Sequence, residues 1–341
     1  MRKFIFPMIA IMIILTGCST KPKMLPAGGG ENYVVIVQKE NQYVDFEKTY
    51  KEIFNKIIYT PQPEHKIKFT DIPSDKLYRY KLQKNLLFVE DLAGDNGNMD
   101  IIKQFLTDAD LAKVRNGTQK IFGFKDPWAK YQYILIVMGV DQKDLNNVLL
   151  QYKDLIFQYY ISAAMKRLLE INTIKGLDQK AIRKMKGYGG FEFSLPKNKY
   201  IHIIENGKAG IMGYIRHNPD RMIVIAWKDS VDMPEVSATS LFAFRNRIFK
   251  DFFQGDSVLV KYKGIKYSSG VDTVWNGMKV FKYHGLWQNS KLIMGGPFGG
   301  YALYHNGYFY MIDYNVANPG EDKFPLILEM EALLSTFKFV K

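Results

Sequence analysis

Cys18 is the only cysteine in 341 residues. A chain folded from the residues around it has no internal disulfide and no second thiol, so its core alone must hold it together. The residues ahead of Cys18 are patterned. Met1-Arg2-Lys3 is positive, and Phe4 to Leu15 is almost wholly apolar, broken only by Pro7. As a helix, a run of about a dozen residues rises about 18 Å, short of the roughly 30 Å of bilayer hydrocarbon. Its length and flanks match a secretory h-region instead. No later segment is long and apolar enough to span.

Leu15-Thr16-Gly17-Cys18 resembles the lipobox of bacterial lipoprotein precursors. The resemblance implies a signal peptide over residues 1–17, cleavage between Gly17 and Cys18, and acyl chains, palmitate among them, on Cys18. One chain holds a protein to a bilayer only marginally, whereas two or three make the anchor durable. The membrane is therefore the first expected partner. Ser19 follows Cys18, without the aspartate that retains such proteins at the inner membrane, and Ser19-Thr20-Lys21 is not acidic. By resemblance to those sorting rules, the expected location is the outer membrane, on its periplasmic face.

A cut after Gly17 leaves 324 residues, enough for one or two domains with a sizeable core. Aromatic residues make up 14%, which fits a folded, β-rich chain and not a disordered one. The formal charge of +13 falls to about +11 without Arg2 and Lys3. The lysines that carry it are scattered, as on an ordinary solvated surface. For an exported chain they argue against nucleic acid and for anionic headgroups or acidic polymers.

Residues 18–31, with two prolines and Gly28-Gly29-Gly30, read as a flexible tether. Tyr33 to Val37 reads as a buried strand, and Phe46, Tyr50, Ile53, Phe54 and Ile57 fall at helical spacing. Pro61-Gln62-Pro63-Glu64 is a turn, Lys66 to Phe69 an edge strand, and Asn85 to Glu90 and Tyr131 to Val140 are buried strands. Asp141 has the character of a helix N-cap. The apolar face that follows it runs to about Ile174, predicting one helix of roughly thirty residues bridging two halves. The second half restarts with strands at Phe191–Leu195, Tyr200–Ile204, Gly210–Arg216 and Met222–Trp227, then a helix over Leu241–Phe253. An antiparallel run follows over Trp275–Trp287, Lys291–Met294, Gly300–Tyr304 and Tyr308–Tyr314, and a closing helix over Leu326–Phe337. The expected organisation is an N-terminal half at 32–176 and a C-terminal half at 177–341. The expected fold class is α+β, with two related layers of mostly antiparallel sheet packed with helices.

Gly285-Leu286-Trp287, Met294-Gly295-Gly296-Pro297-Phe298, Asn318-Pro319-Gly320, Lys323 and Leu328 to Phe337 together resemble a family of bacterial outer-membrane lipoproteins known as a domain of unknown function. Pro61 to Glu64, Phe193 to Pro196 and Arg245 agree with it, and the resemblance extends over essentially the whole mature chain. Tyr214-Ile215-Arg216 only approximates the family pattern. The resemblance implies export and a shared fold, and it implies no reaction.

Four glycines and a proline within Met294–Gly300 predict a bend or bulge. The same stretch, with its neighbours, gives a candidate ligand groove of His284, Trp287, Gly295, Gly296, Phe298 and Tyr301. No Gly-Lys-Ser/Thr follows, which speaks against a phosphate loop. The five histidines lack metal-ligand spacing, and Asp95 to Asp100 lacks the closing glutamate of a calcium loop. Neither a metal nor a cofactor is called for. Glu90 and Asp91, neighbours on a strand, should face opposite sides, whereas paired catalytic carboxylates face one site about 5 to 9 Å apart. The pattern points away from an enzyme and toward a binding or assembly module, with an envelope protein, lipid or glycan as partner. The alternative is a periplasmic hydrolase of cell-wall or glycan material, working through dispersed acidic residues.

Overall fold

The computed structural model describes residues 24–39, 42–93, 98–206, 210–232, 236–253, 255–259, 261–262, 265–266, 268–289, 291–292 and 294–340. Residues 1–17, Cys18 and the loop residues Asp95 to Gly97 lie outside them.

The apolar run at Val34 becomes β1 (Tyr33–Gln38), and Phe46, Tyr50, Ile53 and Phe54 of α1 (Gln42–Phe54) cover one side of it. A short hairpin, β2 (Ile57–Tyr59) with β3 (Pro63–His65), leads into β4 (Lys68–Pro73). The single turn α2 (Leu77–Tyr80) precedes β5 (Asn85–Asp91), and the single turn α3 (Met99–Ile102) precedes α4 (Asp108–Arg115). Thr107 and Asp110 close a capping box at the start of α4. Then come β6 (Ile121–Lys125) and β7 (Tyr133–Gly139). The five longer strands form one sheet, ordered β4-β1-β5-β7-β6.

This half departs from the expected antiparallel layer. The pairs β1–β4, β1–β5 and β5–β7 are parallel, and only β6 runs against its neighbour. The physical reason lies in β1, β5 and β7, whose interior residues are buried on both faces, as parallel strands under helical crossovers must be. Val34, Ile36, Leu87 and Val137 face one core, while Val35, Val37, Phe88 and Ile136 face another, closed by Leu111 and Val114 of α4.

The single long helix is also corrected. Asp141 does cap α5 (Gln142–Gln151), accepting from Asp144 N–H at 2.8 Å. Tyr152 then leaves helical geometry at φ −104° and ψ 17°, and α6 (Lys153–Thr173) starts afresh. Ile156, Phe157 and Tyr160 of α6 pack into the first-half core, and Ala164, Met165 and Leu168 into the second.

The expected tether is shorter than 18–31. Lys130 N–H donates to the Leu25 carbonyl at 2.8 Å, Ala27 N–H to the Lys130 carbonyl at 2.8 Å, and Gly28 N–H to the Leu82 carbonyl at 2.8 Å. Glu31 then meets the buried guanidinium of Arg167 at 2.6 Å. Residues from Leu25 onward are part of the folded body.

The second half begins with α7 (Gln179–Gly189) and β8 (Phe191–Glu192), then the meander β9 (Ile201–Asn206), β10 (Ile211–Arg216) and β11 (Asp220–Asp229). After α8 (Ala238–Phe252) come β12 (Ser257–Leu259), the hairpin of β13 (Lys261–Tyr262) and β14 (Ile265–Lys266), β15 (Ser269–Trp275), β16 (Met278–Asn289), β17 (Met294–His305) and β18 (Tyr308–Ala317). The helix α9 (Phe324–Leu334) and β19 (Lys338–Phe339), which pairs with β8, close the chain. The large sheet is ordered β12-β16-β17-β18-β11-β10-β9, with β15 on β16, and all its pairs are antiparallel. Helix α8 covers one face and α9 the other. The fold class is thus α+β, with a mixed sheet and a large antiparallel one.

The expected strand over Trp275–Trp287 is interrupted. Asn276 and Gly277, at φ 48° and 76°, turn β15 into β16, and Asn306-Gly307 repeats the device between β17 and β18. Asn-Gly supplies the two positive φ values of a two-residue hairpin turn whose twist suits the flanking strands.

Candidate functional site

The predicted bend over Met294–Gly300 does not occur. Those residues lie in an unbroken strand whose register with β16 and β18 shows no shift. The glycines are there for close approach: a Cβ on Gly296 would sit 1.9 Å from the Val316 carbonyl oxygen, and one on Gly300 1.9 Å from that of Ile312.

The same register splits the predicted groove. Trp287 pairs with Gly296, and Phe298 sits opposite Gly285, on the α8 face. His284 pairs with Gly299 and Tyr301 with Lys282, on the α9 face, and Gly295 shares their side because side chains alternate along a strand. The six residues therefore do not line one groove. Phe298 lies beneath the Arg245 guanidinium at 4.0 Å from its ring centre. Arg245, expected near the start of its helix, is in the middle of α8, fully buried, and holds Asp313 at 2.8 Å. Tyr301 stacks on Trp275 at 3.9 Å and donates to Glu331, which also accepts from Tyr314 at 2.9 Å. His284 meets Ser269 Oγ through Nε2 at 3.3 Å. Burial, with Lys66 and Lys282 nearby, lowers its pKa and favours the neutral ring.

Other segments singled out in the sequence do meet. A cleft of about 490 Å³ is lined by Pro61 and Gln62 of the β2–β3 turn, Trp287 of β16, Met294 of β17, and Pro319 and Lys323 ahead of α9. Gly295, Leu259 and Leu286 complete its largely apolar wall. These segments are up to about 260 residues apart, and Glu64 joins them. Its Oε2 accepts from the backbone N–H of Lys323 at 2.7 Å and of Phe324 at 3.2 Å, and Oε1 lies 3.1 Å from Lys323 Nζ. A carboxylate at these amides stabilises the N-terminus of α9 and fixes the first half against the second. Trp287 is 4% exposed, and its indole N–H has no hydrogen-bond partner among the described residues. A buried donor left unpaired costs about 1–3 kcal/mol.

The acidic residues tell a different story from the one expected. Glu90 and Asp91 do not face opposite sides: both reach Lys39 Nζ, at 2.9 and 3.3 Å. Strand alternation fails here because Asp91 ends β5 and turns back to cap the following backbone, accepting from Ala93 N–H at 3.0 Å. The pair sits where β1 and β5 adjoin and their connections diverge, the usual ligand crevice of an open parallel sheet. Sequence spacing gave no sign of this. Burial raises the Glu90 pKa, with Lys39 pulling the other way. Glu329, also buried, is held by Arg216 at 2.9 Å and Arg221 at 3.1 Å. These buried acids are engaged by neighbouring cations. Among the described residues no three His, Cys, Asp or Glu side chains converge as a metal site.

The fold and cleft define an α+β protein with a ligand-sized apolar recess between its halves. Residues 178–336 match the model of a family described as a domain of unknown function (DUF4837). The match takes in Trp287, Met294–Phe298 and Lys323 but not Pro61–Glu64. No curated protein matches the chain. Among solved structures, a cyanobacterial PsbP (CyanoP) from Synechocystis sp. PCC 6803 is similar at 13% identity, with 48% of this chain and 89% of that one covered and a TM-score of 0.30. A protein of Bacteroides thetaiotaomicron VPI-5482 is similar at 12% identity over 45% of this chain and 46% of that one, with a TM-score of 0.26. LpqN, involved in cell envelope biogenesis of Mycobacterium tuberculosis, is similar at 12% identity over 45% of this chain and 86% of that one, with a TM-score of 0.26.

Proposed function

We propose that this protein is a lipid-anchored binding module of the bacterial envelope, without catalytic activity, whose ligand enters the cleft beside Trp287. The observation that carries the ligand reading is the unpaired, buried Trp287 indole N–H in an apolar wall built from both halves. It fits a mostly apolar ligand bearing one acceptor, such as an acyl chain with its carbonyl. The Leu15–Cys18 pattern supports acylation of Cys18 and residence at the outer membrane, on the periplasmic face. No helix among the described residues is long and apolar enough to cross a membrane, in keeping with an acyl anchor. The hydrolase alternative has less support, since Glu90 and Asp91 share one lysine instead of facing a substrate.

Two experiments test the two parts. Cells fed radiolabelled palmitate should label the wild-type chain and not Cys18→Ser, and the unlabelled chain should leave the membrane fraction. For the cleft, a diazirine-bearing fatty acid should crosslink to residues around Met294. Trp287→Phe, which removes the N–H and keeps the ring, should weaken that crosslink several-fold. Equal crosslinking in both proteins would remove the case for this ligand.

A further inference from the structure

At the other end of β17 from the cleft lies a second cavity, of about 610 Å³, with a different chemistry. The register of three strands builds its floor. Trp227 of β11 pairs with Tyr310 of β18, Asp229 with Tyr308, and His305 of β17 with the same Tyr308. Directly opposed residues share a face of a sheet, so these five side chains form one contiguous aromatic and polar surface.

The surface is rigid. Trp227 and Tyr310 lie 6.5 Å apart and within 23° of parallel, and Phe191 meets both edge-on at 5.8 and 6.4 Å. His305 stacks on Phe339 at 3.7 Å. The end of α7 forms one wall, fixed where Tyr310 Oη donates to the Gly189 carbonyl at 3.1 Å and Val340 N–H to that of Gly190 at 2.9 Å.

The rim offers solvent-exposed polar groups. The hydroxyls of Tyr188 and Tyr308, residues 52% and 46% exposed, and the Asn306 amide make no hydrogen bond among the described residues. Asp229 accepts one, through Oδ1, from Val231 N–H at 3.0 Å. A separate shallow opening of about 430 Å³ around the β17–β18 turn shares His305 and Asn306 and is also lined by Val231 and Tyr304.

We infer that this groove is a saccharide-binding site for a neutral or N-acetylated glycan. A sugar ring has C–H faces that lie on aromatic rings and hydroxyls that both donate and accept. It would use Tyr308 and Trp227 through the first, and Asp229, Asn306 and Tyr188 through the second. An acyl chain would bury Asp229 and Asn306 unpaired, at about 1–3 kcal/mol each. An anionic ligand would meet the Asp229 carboxylate, while Lys228, also in the lining, lies over the Phe244 ring at 5.3 Å. The inference is independent of the cleft beside Trp287.

The test uses the mature chain carrying Cys18→Ser, titrated with hexamers of β-linked N-acetylglucosamine and of β-linked glucose and followed by calorimetry. At least one hexamer should bind. Tyr308→Ala and Asp229→Ala should each weaken that binding about tenfold or more with little change in melting temperature, since both sites are at the surface. Tyr78→Ala, a still more exposed tyrosine in the first half, should leave it unchanged. No binding of either hexamer at millimolar concentration would overturn the inference. So would binding that survives both substitutions in the groove.

Discussion

Glu64 and Lys323 are 259 residues apart in the chain, yet one carboxylate holds both the side chain and the backbone of Lys323 and the first amide of α9. Both residues are buried. Their contact is the point at which the β2–β3 hairpin, the turn at Pro319 and the helix α9 become one unit, with the cleft beside them.

Glu64→Gln keeps the shape and removes the charge. It should lower stability by about 1–3 kcal/mol, because Lys323 stays buried beside a neutral group and the helix N-terminus loses its anion. Urea unfolding followed by circular dichroism measures this. A loss below about 0.5 kcal/mol, the scale of an exposed pair, would mean that the contact does not secure α9.

Arg245 and Asp313 are fully buried, and the guanidinium lies 4.0 Å from the rings of both Phe249 and Phe298. Asp313→Ala should cost about 3–5 kcal/mol, because it strands a buried cation. The pair of substitutions Arg245→Met and Asp313→Leu should cost less than either alone. Additive losses in a double-mutant cycle would show that the two charges act separately.

Burial is the largest influence on Glu90 and holds its carboxyl above the usual range, against Lys39. The folded state therefore binds this proton more tightly than the unfolded chain. The stability that Glu90 contributes is complete below its ordinary pKa of 4.5 and is lost as pH rises through the higher folded value. Glu90→Gln cannot titrate. The stability of the wild type relative to this variant should fall as pH rises from 4.5 upward, in urea titrations at several pH values. A difference that grows with pH would reverse the assignment.

Glycines in β17 and α7 should respond in opposite directions to alanine. At Gly300 the new methyl would sit 1.9 Å from the Ile312 oxygen and 2.8 Å from Tyr283 Oη, and the overpacking should cost about 1–3 kcal/mol or more. At Gly187, in α7 with nothing within 4 Å, alanine should add about 0.5–1 kcal/mol. Melting temperatures moving the same way in both variants would contradict the packing around β17.

Features that depend on near neighbours in the chain could be read from the residues alone. The apolar run at Val34–Val37, the cap at Asp141 and the closing helix near Leu328 were legible because period, capping and burial are written within a few residues. So were the segments that meet at the cleft, though not their meeting. The remaining features depend on contacts between distant segments. The continuous apolar runs of β1, β5 and β7 mark strands covered on both faces, but the neighbours each takes in the sheet are set by crossovers outside those runs. The faces of His284 and Trp287 follow from the register of β16 on β17, where a shift of one residue would exchange them. Tyr152 breaks a stripe that local spacing reads as continuous, and Asp91 turns onto Lys39 because its strand ends there. The meeting of Glu64 with Lys323 is the extreme case. Contact between residues so far apart is selected by the packing of whole layers, and no local pattern in either segment encodes it.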